Sequence, residues 1–133
     1  MPNHYHLILQ LRADNLSSHL QAFALSYTKA INKQHERVGG LFQGPFKAIH
    51  IDTDQYLIHL SRYIHLNPVL AGLTEKAQDW EFSSYREFIG LRRGSLPKLD
   101  GVLSQFAGKD AYRAFVEKYV EGDKQMIEGF LLE

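Results

Sequence analysis

The 133-residue sequence contains no cysteine, and this absence excludes several classes of site. Without thiols the chain has no disulfide framework, thiolate zinc site, iron–sulfur cluster or cysteine nucleophile. No apolar run is long enough to span a bilayer, and the N-terminus lacks a signal-peptide pattern, so we expect a cytoplasmic protein with no membrane partner. Lysine plus arginine and aspartate plus glutamate number 15 each, so no basic excess points to nucleic acid.

What the sequence does contain is typical of one globular domain, with 44% hydrophobic and 23% charged residues. Apolar spacing and turn residues predict the elements. In chain order these are a strand at 4–11, a helix from Leu16 to about His35, a strand or hairpin at 41–51, a helix at 55–66 and a final helix at 112–120. The Asn67–Pro68 pair is expected to stop or kink the second helix.

Two histidines on the first predicted strand form a candidate metal site. Alternation along a strand places the side chains of His4 and His6 on one face, roughly 7 Å apart. Imidazole is a common metal ligand, so the pair could hold one divalent cation. The alternative is a pair of exposed or core histidines near a chain terminus, and spacing leaves both interpretations open.

The second predicted helix carries a candidate nucleophile. Tyr63 and Asn67 are four residues apart and therefore share one helical face, with His59 one turn earlier. A phenol with a reference pKa near 10 needs a nearby metal or base to act as a nucleophile. The alternative is a half-packed tyrosine followed by a helix-ending asparagine. His65 falls on another side of the helix and is expected to be structural.

Four segments resemble, in order, the motifs of a known family. They are residues 1–9 (MPNHYHLIL), 41–49 (LFQGPFKAI), 62–73 (RYIHLNPVLAGL) and 80–86 (WEFSSYR). Together they resemble the single-tyrosine HUH transposases, and within them the REP-associated tyrosine transposases. The resemblance implies an HUH transposase-like domain at 1–90 and a helical C-terminal appendage at 91–133.

The resemblance also implies a fold. It predicts an α+β protein with a ferredoxin-like (RRM-like) antiparallel sheet and helices packed on that sheet. Family members carry further elements before the HUH strand, so the chain is expected to lack the usual N-terminal part. The sheet is then incomplete unless a second chain completes it, and we expect a homodimer or other self-association because an apolar strand edge is left open.

The implied activity is cleavage and rejoining of single-stranded or hairpin DNA during DNA transposition. By motif position Tyr63 is the nucleophile that forms a 5′-phosphotyrosine link. His4, His6 and Asn67 are the implied ligands of a divalent metal, Mg or Mn, which polarises the phosphate.

Basic residues in or near the motifs are candidate DNA contacts, although a residue of this kind is more often just a solvated charge. They are Lys47, Arg62, Arg86, Arg92 and Arg93. The family commonly has arginine where this chain has Pro45 and Leu70, which weakens the expected phosphate contacts. Two alternatives therefore stay open beside an active endonuclease. One is an inactive truncated relic that still binds DNA, and the other is a small metal-binding or interaction domain.

Several aromatic residues near the fourth motif have no assigned role. Trp80, Phe82 and Tyr85 are expected to pack in the core or at the entry of a helix. The alternative is that an exposed aromatic ring stacks on an unpaired base.

Overall fold

The computed structural model describes residues 1–119, and its regular structure is helical. The helices are α1 (Leu16–Gln34), α2 (Asp54–Leu70), α3 (Tyr85–Phe88), α4 (Asp100–Leu103) and α5 (Lys109–Glu117), with a 3-10 turn at Ala77–Asp79. The chain divides into two compact units. One is Ile8–Ala48, and the other combines Met1–Leu7 with residues 49–119 of the described chain. Across the described residues, none of the helices has the length and apolar character needed to cross a membrane.

The predicted α+β fold with a ferredoxin-like antiparallel sheet is wrong, because no strand forms between residues 1 and 119. Segments 4–11 and 41–51 are irregular instead. A strand is stable only when a neighbouring strand pairs with its backbone, and the described part of the chain supplies neither segment with such a neighbour. The side chains of Leu7, Leu9 and Leu11 are accordingly exposed.

The unit formed by Ile8–Ala48 is built around α1, which confirms the predicted first helix. The helix ends where Glu36 adopts a positive φ of 50°. The backbone N–H of Arg37 then donates to the carbonyl of Asn32 at 3.0 Å, which satisfies one of the last carbonyls of the helix. No residue of α1 is fully buried, so its apolar stripe is only partly covered.

The second helix, α2, is confirmed but is longer than predicted. The Thr53 hydroxyl caps it by accepting a backbone N–H at 3.2 Å. Pro68 does not stop the helix, because in the last turn it removes only one backbone donor. The end is set by Gly72, whose φ of 68° lets the N–H of Leu73 donate to the Pro68 carbonyl at 2.8 Å.

The main apolar core lies between α2 and the later helices. Its buried residues are Ala77, Tyr85, Phe88, Ile89, Val102, Tyr112 and Val116. These core residues lie on both sides of position 90, which the sequence predicts as the boundary between the HUH transposase-like domain and the C-terminal appendage. The predicted final helix is α5, which begins three residues early and ends at Glu117. The last position of the predicted helix, 120, and the remainder of the predicted appendage to position 133 lie outside the described residues.

A buried histidine is held in this core by hydrogen bonds at both ring nitrogens. His65 Nδ1 lies 2.7 Å from the Tyr112 hydroxyl, and Nε2 lies 3.0 Å from Ser84 Oγ. A neutral imidazole has one donor and one acceptor, which matches two hydroxyl partners. Burial lowers the pKa of His65 to about 3, although the negative charge of Glu87 opposes the shift. The expected structural role of His65 is thus confirmed.

The first prediction concerns stability in acid. In the folded protein His65 stays neutral until the pH falls to about 3, whereas in the unfolded chain it protonates near pH 6.5. Its contribution to the free energy of unfolding is therefore fully present above pH 6.5 and is lost as the pH falls towards 3. We expect the free energy of unfolding to fall by about 1.4 kcal/mol per pH unit from this group across that window. Urea unfolding between pH 7 and 4.5 measures the slope.

The control for this experiment is a non-titrating variant. His65→Gln should flatten the slope, whereas His19→Gln, on the exposed surface of α1, should keep it. An unchanged pH slope in His65→Gln would assign the acid sensitivity to other groups.

Candidate functional site

Four side chains singled out by the sequence lie together in the unit that contains α2. The ring centroids of His4 and His6 are 5.1 Å apart, and those of His6 and Tyr63 are 6.5 Å apart. The amide nitrogen of Asn67 lies 3.2 Å from His6 Nε2. Residues about sixty positions apart in sequence therefore meet, although the histidines do not lie on a strand.

Helix α2 positions two of the four. Tyr63 and Asn67 are one turn apart on the same face, and both are buried. Tyr63 is 5% exposed and packs with Tyr56 in a small apolar cluster. The partly buried members of that cluster are Ile49, Ile51, Leu60 and Ile64. The phenol ring of Tyr63 is thus fixed by packing, with the His6 ring against it.

The two histidines form the more accessible side of the site. His4 is exposed and His6 is half-buried. The side-chain oxygen of Asn3 accepts a hydrogen bond from His4 Nδ1 at 2.7 Å. With the proton on Nδ1, the Nε2 lone pair of His4 is left to act as a ligand. Sequence analysis missed this role for Asn3, although its place directly before His4 in the first motif was a usable signal.

The donor set fits a divalent cation that keeps part of its own shell. Two imidazole nitrogens and one amide oxygen, presented if the Asn67 amide turns its oxygen inward, are an incomplete set for magnesium or manganese. Among residues 1–119 no group of three or more histidine and carboxylate side chains could hold a metal. Phosphate oxygens and water would have to supply the remaining ligands.

The five predicted DNA-contacting cations differ in their surroundings. Lys47 and Arg93 are exposed. Arg86 Nε donates to the carbonyl of Gln78 at 2.5 Å. Arg92 donates to the Glu87 carboxylate at 2.7 Å, and this hydrogen bond lowers the pKa of Glu87. These internal hydrogen bonds occupy donors of the Arg86 and Arg92 guanidinium groups that would otherwise be offered to a ligand.

Arg62 is the most buried of the five, at 4% exposure. Its guanidinium carbon lies 4.2 Å from the ring centroid of Phe115 and 5.3 Å from that of Tyr119. One terminal nitrogen donates to His59 Nδ1 at 2.9 Å. In this arrangement Arg62 joins α2 to α5 and is not presented to a ligand. Sequence analysis did not anticipate this contact, since nothing local links Arg62 to Phe115.

Compared with protein-family models, with curated proteins and with solved structures, the chain matches none.

The second prediction tests the metal ligands. Manganese should raise the thermal midpoint of the parent chain, because an ion bound only by the folded state stabilises it. The double variant His4→Ala, His6→Ala should lose this shift, since it removes both imidazoles of the site. Thermal unfolding across a manganese titration measures the effect. His50→Ala, at another exposed histidine, should keep the full shift. An equal shift in the double variant would place the metal elsewhere.

Proposed function

We propose that the protein is a cytoplasmic DNA-cleaving and rejoining enzyme of the HUH transposase type, with Tyr63 as its nucleophile. Its substrate would be single-stranded or hairpin-flanked DNA. The observation that carries the proposal is that the His6 ring meets His4, Asn67 and Tyr63, with the His6 and Tyr63 centroids 6.5 Å apart. A phenol beside two imidazoles and an amide is a plausible set for metal-assisted transfer of a phosphodiester.

The proposed reaction is a reversible transesterification. The Tyr63 oxygen attacks phosphorus and loses its proton, while the bond from phosphorus to the 3′-oxygen breaks and that oxygen takes up a proton. One phosphodiester is exchanged for a 5′-phosphotyrosine link, so rejoining needs no external energy source. A divalent ion at His4, His6 and Asn67 would polarise the phosphate and offset charge in the transition state.

Two other tyrosines, Tyr56 and Tyr85, are the next candidates for the nucleophile, and their surroundings disfavour a phenolate. Burial, and then the nearby charge of Asp52, raise the pKa of Tyr56, which disfavours its phenolate. Burial in the main core raises the pKa of Tyr85 to about 12. Neither side chain belongs to the group formed with the two motif histidines.

The third prediction follows from this assignment. Tyr63→Phe should abolish covalent attachment to single-stranded DNA and leave binding nearly unchanged, because it deletes the nucleophilic oxygen and keeps the ring packing. The assay is incubation with hairpin-flanked oligonucleotides and manganese, followed by denaturing electrophoresis. Tyr56→Phe is the matched control, since it makes the same change in the same apolar cluster and should keep the adduct.

Other outcomes of this assay are also informative. An adduct that persists in Tyr63→Phe moves the nucleophile, with Tyr56 and Tyr85 the next candidates. Salt-sensitive DNA binding without any adduct from the parent chain would support the inactive relic in place of the enzyme.

The proposal includes self-association. In the unit Ile8–Ala48, Leu9 and Leu11 expose apolar side chains, and α1 exposes Phe23 and Tyr27. Exposed apolar side chains that lie against each other, as the stacked rings of Phe23 and Tyr27 do, are typical of surfaces that another molecule covers. The proposed partner is a second copy of this chain, because every copy in solution carries the same exposed apolar side chains.

The fourth prediction is that this surface controls the oligomeric state. The parent chain should sediment as a dimer or larger species. Leu9→Lys combined with Leu11→Lys should shift it towards monomer, because burial of lysine at an apolar contact is unfavourable. Val38→Lys, at an apolar residue that is almost fully exposed, should leave the distribution unchanged. A monomeric parent over the micromolar range would contradict self-association.

A further inference from the structure

One aromatic ring is presented to solvent on a turn that the rest of the structure holds in place. Phe82 is 79% exposed, in the stretch between Ala77–Asp79 and α3. The Trp80 ring meets it edge to face, with centroids 5.6 Å apart and an angle of 71° between the ring planes. The backbone N–H of Ser83 donates to the Trp80 carbonyl at 3.2 Å and closes the turn.

The turn is held from both sides of Phe82 by a single guanidinium. Arg92 Nη1 donates to the carbonyl of Glu81 at 2.8 Å, and Nη2 donates to the carbonyl of Ser83 at 2.7 Å. These two carbonyls directly flank Phe82. The ring is therefore presented on a backbone that is fixed before any ligand arrives, which lowers the entropy lost on binding.

Arg92 is itself held by a buried carboxylate. Its Nε and Nη2 donate to the two oxygens of Glu87 at 2.7 Å and 2.8 Å, a bidentate pair. A Cβ at Gly94 would come within 2.5 Å of the Glu87 carboxylate, so a larger residue there would have to displace that carboxylate from its present position. The chain thus contributes three residues outside the turn to hold an apolar ring in water.

We infer that Phe82 is a stacking platform for an unpaired base of single-stranded DNA, an inference that rests on the proposed function. A single phenyl ring matches one base in size, and base stacking on aromatic rings is how proteins bind single strands without reading their sequence. The exposed guanidinium of Arg93, next to Arg92 in the sequence, can meet an adjacent phosphate. The carboxylate of Glu81 offsets part of this charge, so stacking supplies the larger share of affinity at this position.

The experiment measures equilibrium binding in a Tyr63→Phe background, where no adduct forms. The chain has one tryptophan, Trp80, and its contact with Phe82 makes its fluorescence a local reporter. The probes are an unstructured 12-nucleotide DNA strand and the same strand with abasic sites. Phe82→Ala should weaken binding of the normal strand by about tenfold or more, within the range known for loss of one stacked base.

Four comparisons separate stacking from other effects. Phe82→Tyr should retain affinity, and Leu96→Ala, which removes an almost fully exposed apolar side chain without an aromatic ring, should have no effect. Phe82→Ala should not weaken binding of the abasic strand further. The loss in Phe82→Ala should be the same in low and high salt, whereas the loss in Arg93→Ala should shrink as salt rises.

The outcomes separate this inference from the proposed function. Affinity within twofold of the parent in Phe82→Ala, or an equal loss for the normal and abasic strands, would overturn the inference even if the parent forms the Tyr63 adduct. Absence of binding by the parent at micromolar concentration would overturn it as well. A Phe82-dependent loss restricted to the normal strand supports it, whether or not an adduct forms.

Discussion

The polar side chains that α2 buries impose the strongest constraint on the structure around it. Five of its eight buried residues are polar or charged, namely His59, Ser61, Arg62, His65 and Asn67. A buried polar group without a partner costs about 1–3 kcal/mol, so neighbouring segments must supply matching groups. Ser84 and Tyr112 do so for His65, Phe115 lies over Arg62, and His6 meets Asn67. The positions of α3, α5 and the N-terminal residues all follow from satisfying this one helix.

This distribution gives the opposite sides of α2 different roles. Successive residues are 100° apart around a helix, so Tyr63 and His65 point in nearly opposite directions. The His65 side is fixed to the core by hydrogen bonds, and the Tyr63 side faces the motif histidines. A side chain on a helix that is anchored from behind is held more precisely than one on a loop. The core network therefore contributes to the geometry of the candidate site without touching it.

Sequence patterns predicted the elements that local spacing determines. They failed for the segments whose structure depends on a partner from a distant part of the chain. Apolar spacing located α1 and α2, because a helix satisfies its backbone within one segment. It failed at 4–11 and 41–51, since β propensity cannot supply a neighbouring strand. The Asn67–Pro68 pair was expected to stop or kink α2, but the end of the helix is set by Gly72. There an αL residue lets the N–H groups of Gly72 and Leu73 donate to helix carbonyls, which forms a stronger terminus than one missing donor. Spacing in the sequence singled out the pair His4 and His6 and the pair Tyr63 and Asn67, but only the resemblance joined the two pairs into one site. The family assignment and the function stay predictions.

Counting basic residues in the sequence overstates the charge that remains for a ligand. Whether a guanidinium meets a phosphate or an internal carbonyl depends on tertiary contacts, which the sequence around Arg86 and Arg92 does not reveal. Both are committed to internal acceptors, in a chain whose formal charge is already zero. Long-range attraction can therefore contribute little to binding a polyanion. If the chain binds DNA, contacts that act at close range must carry the affinity, namely a metal shared with one phosphate and a ring stacked on one base. The guanidinium of Arg92 would then act indirectly, by holding the turn that presents Phe82.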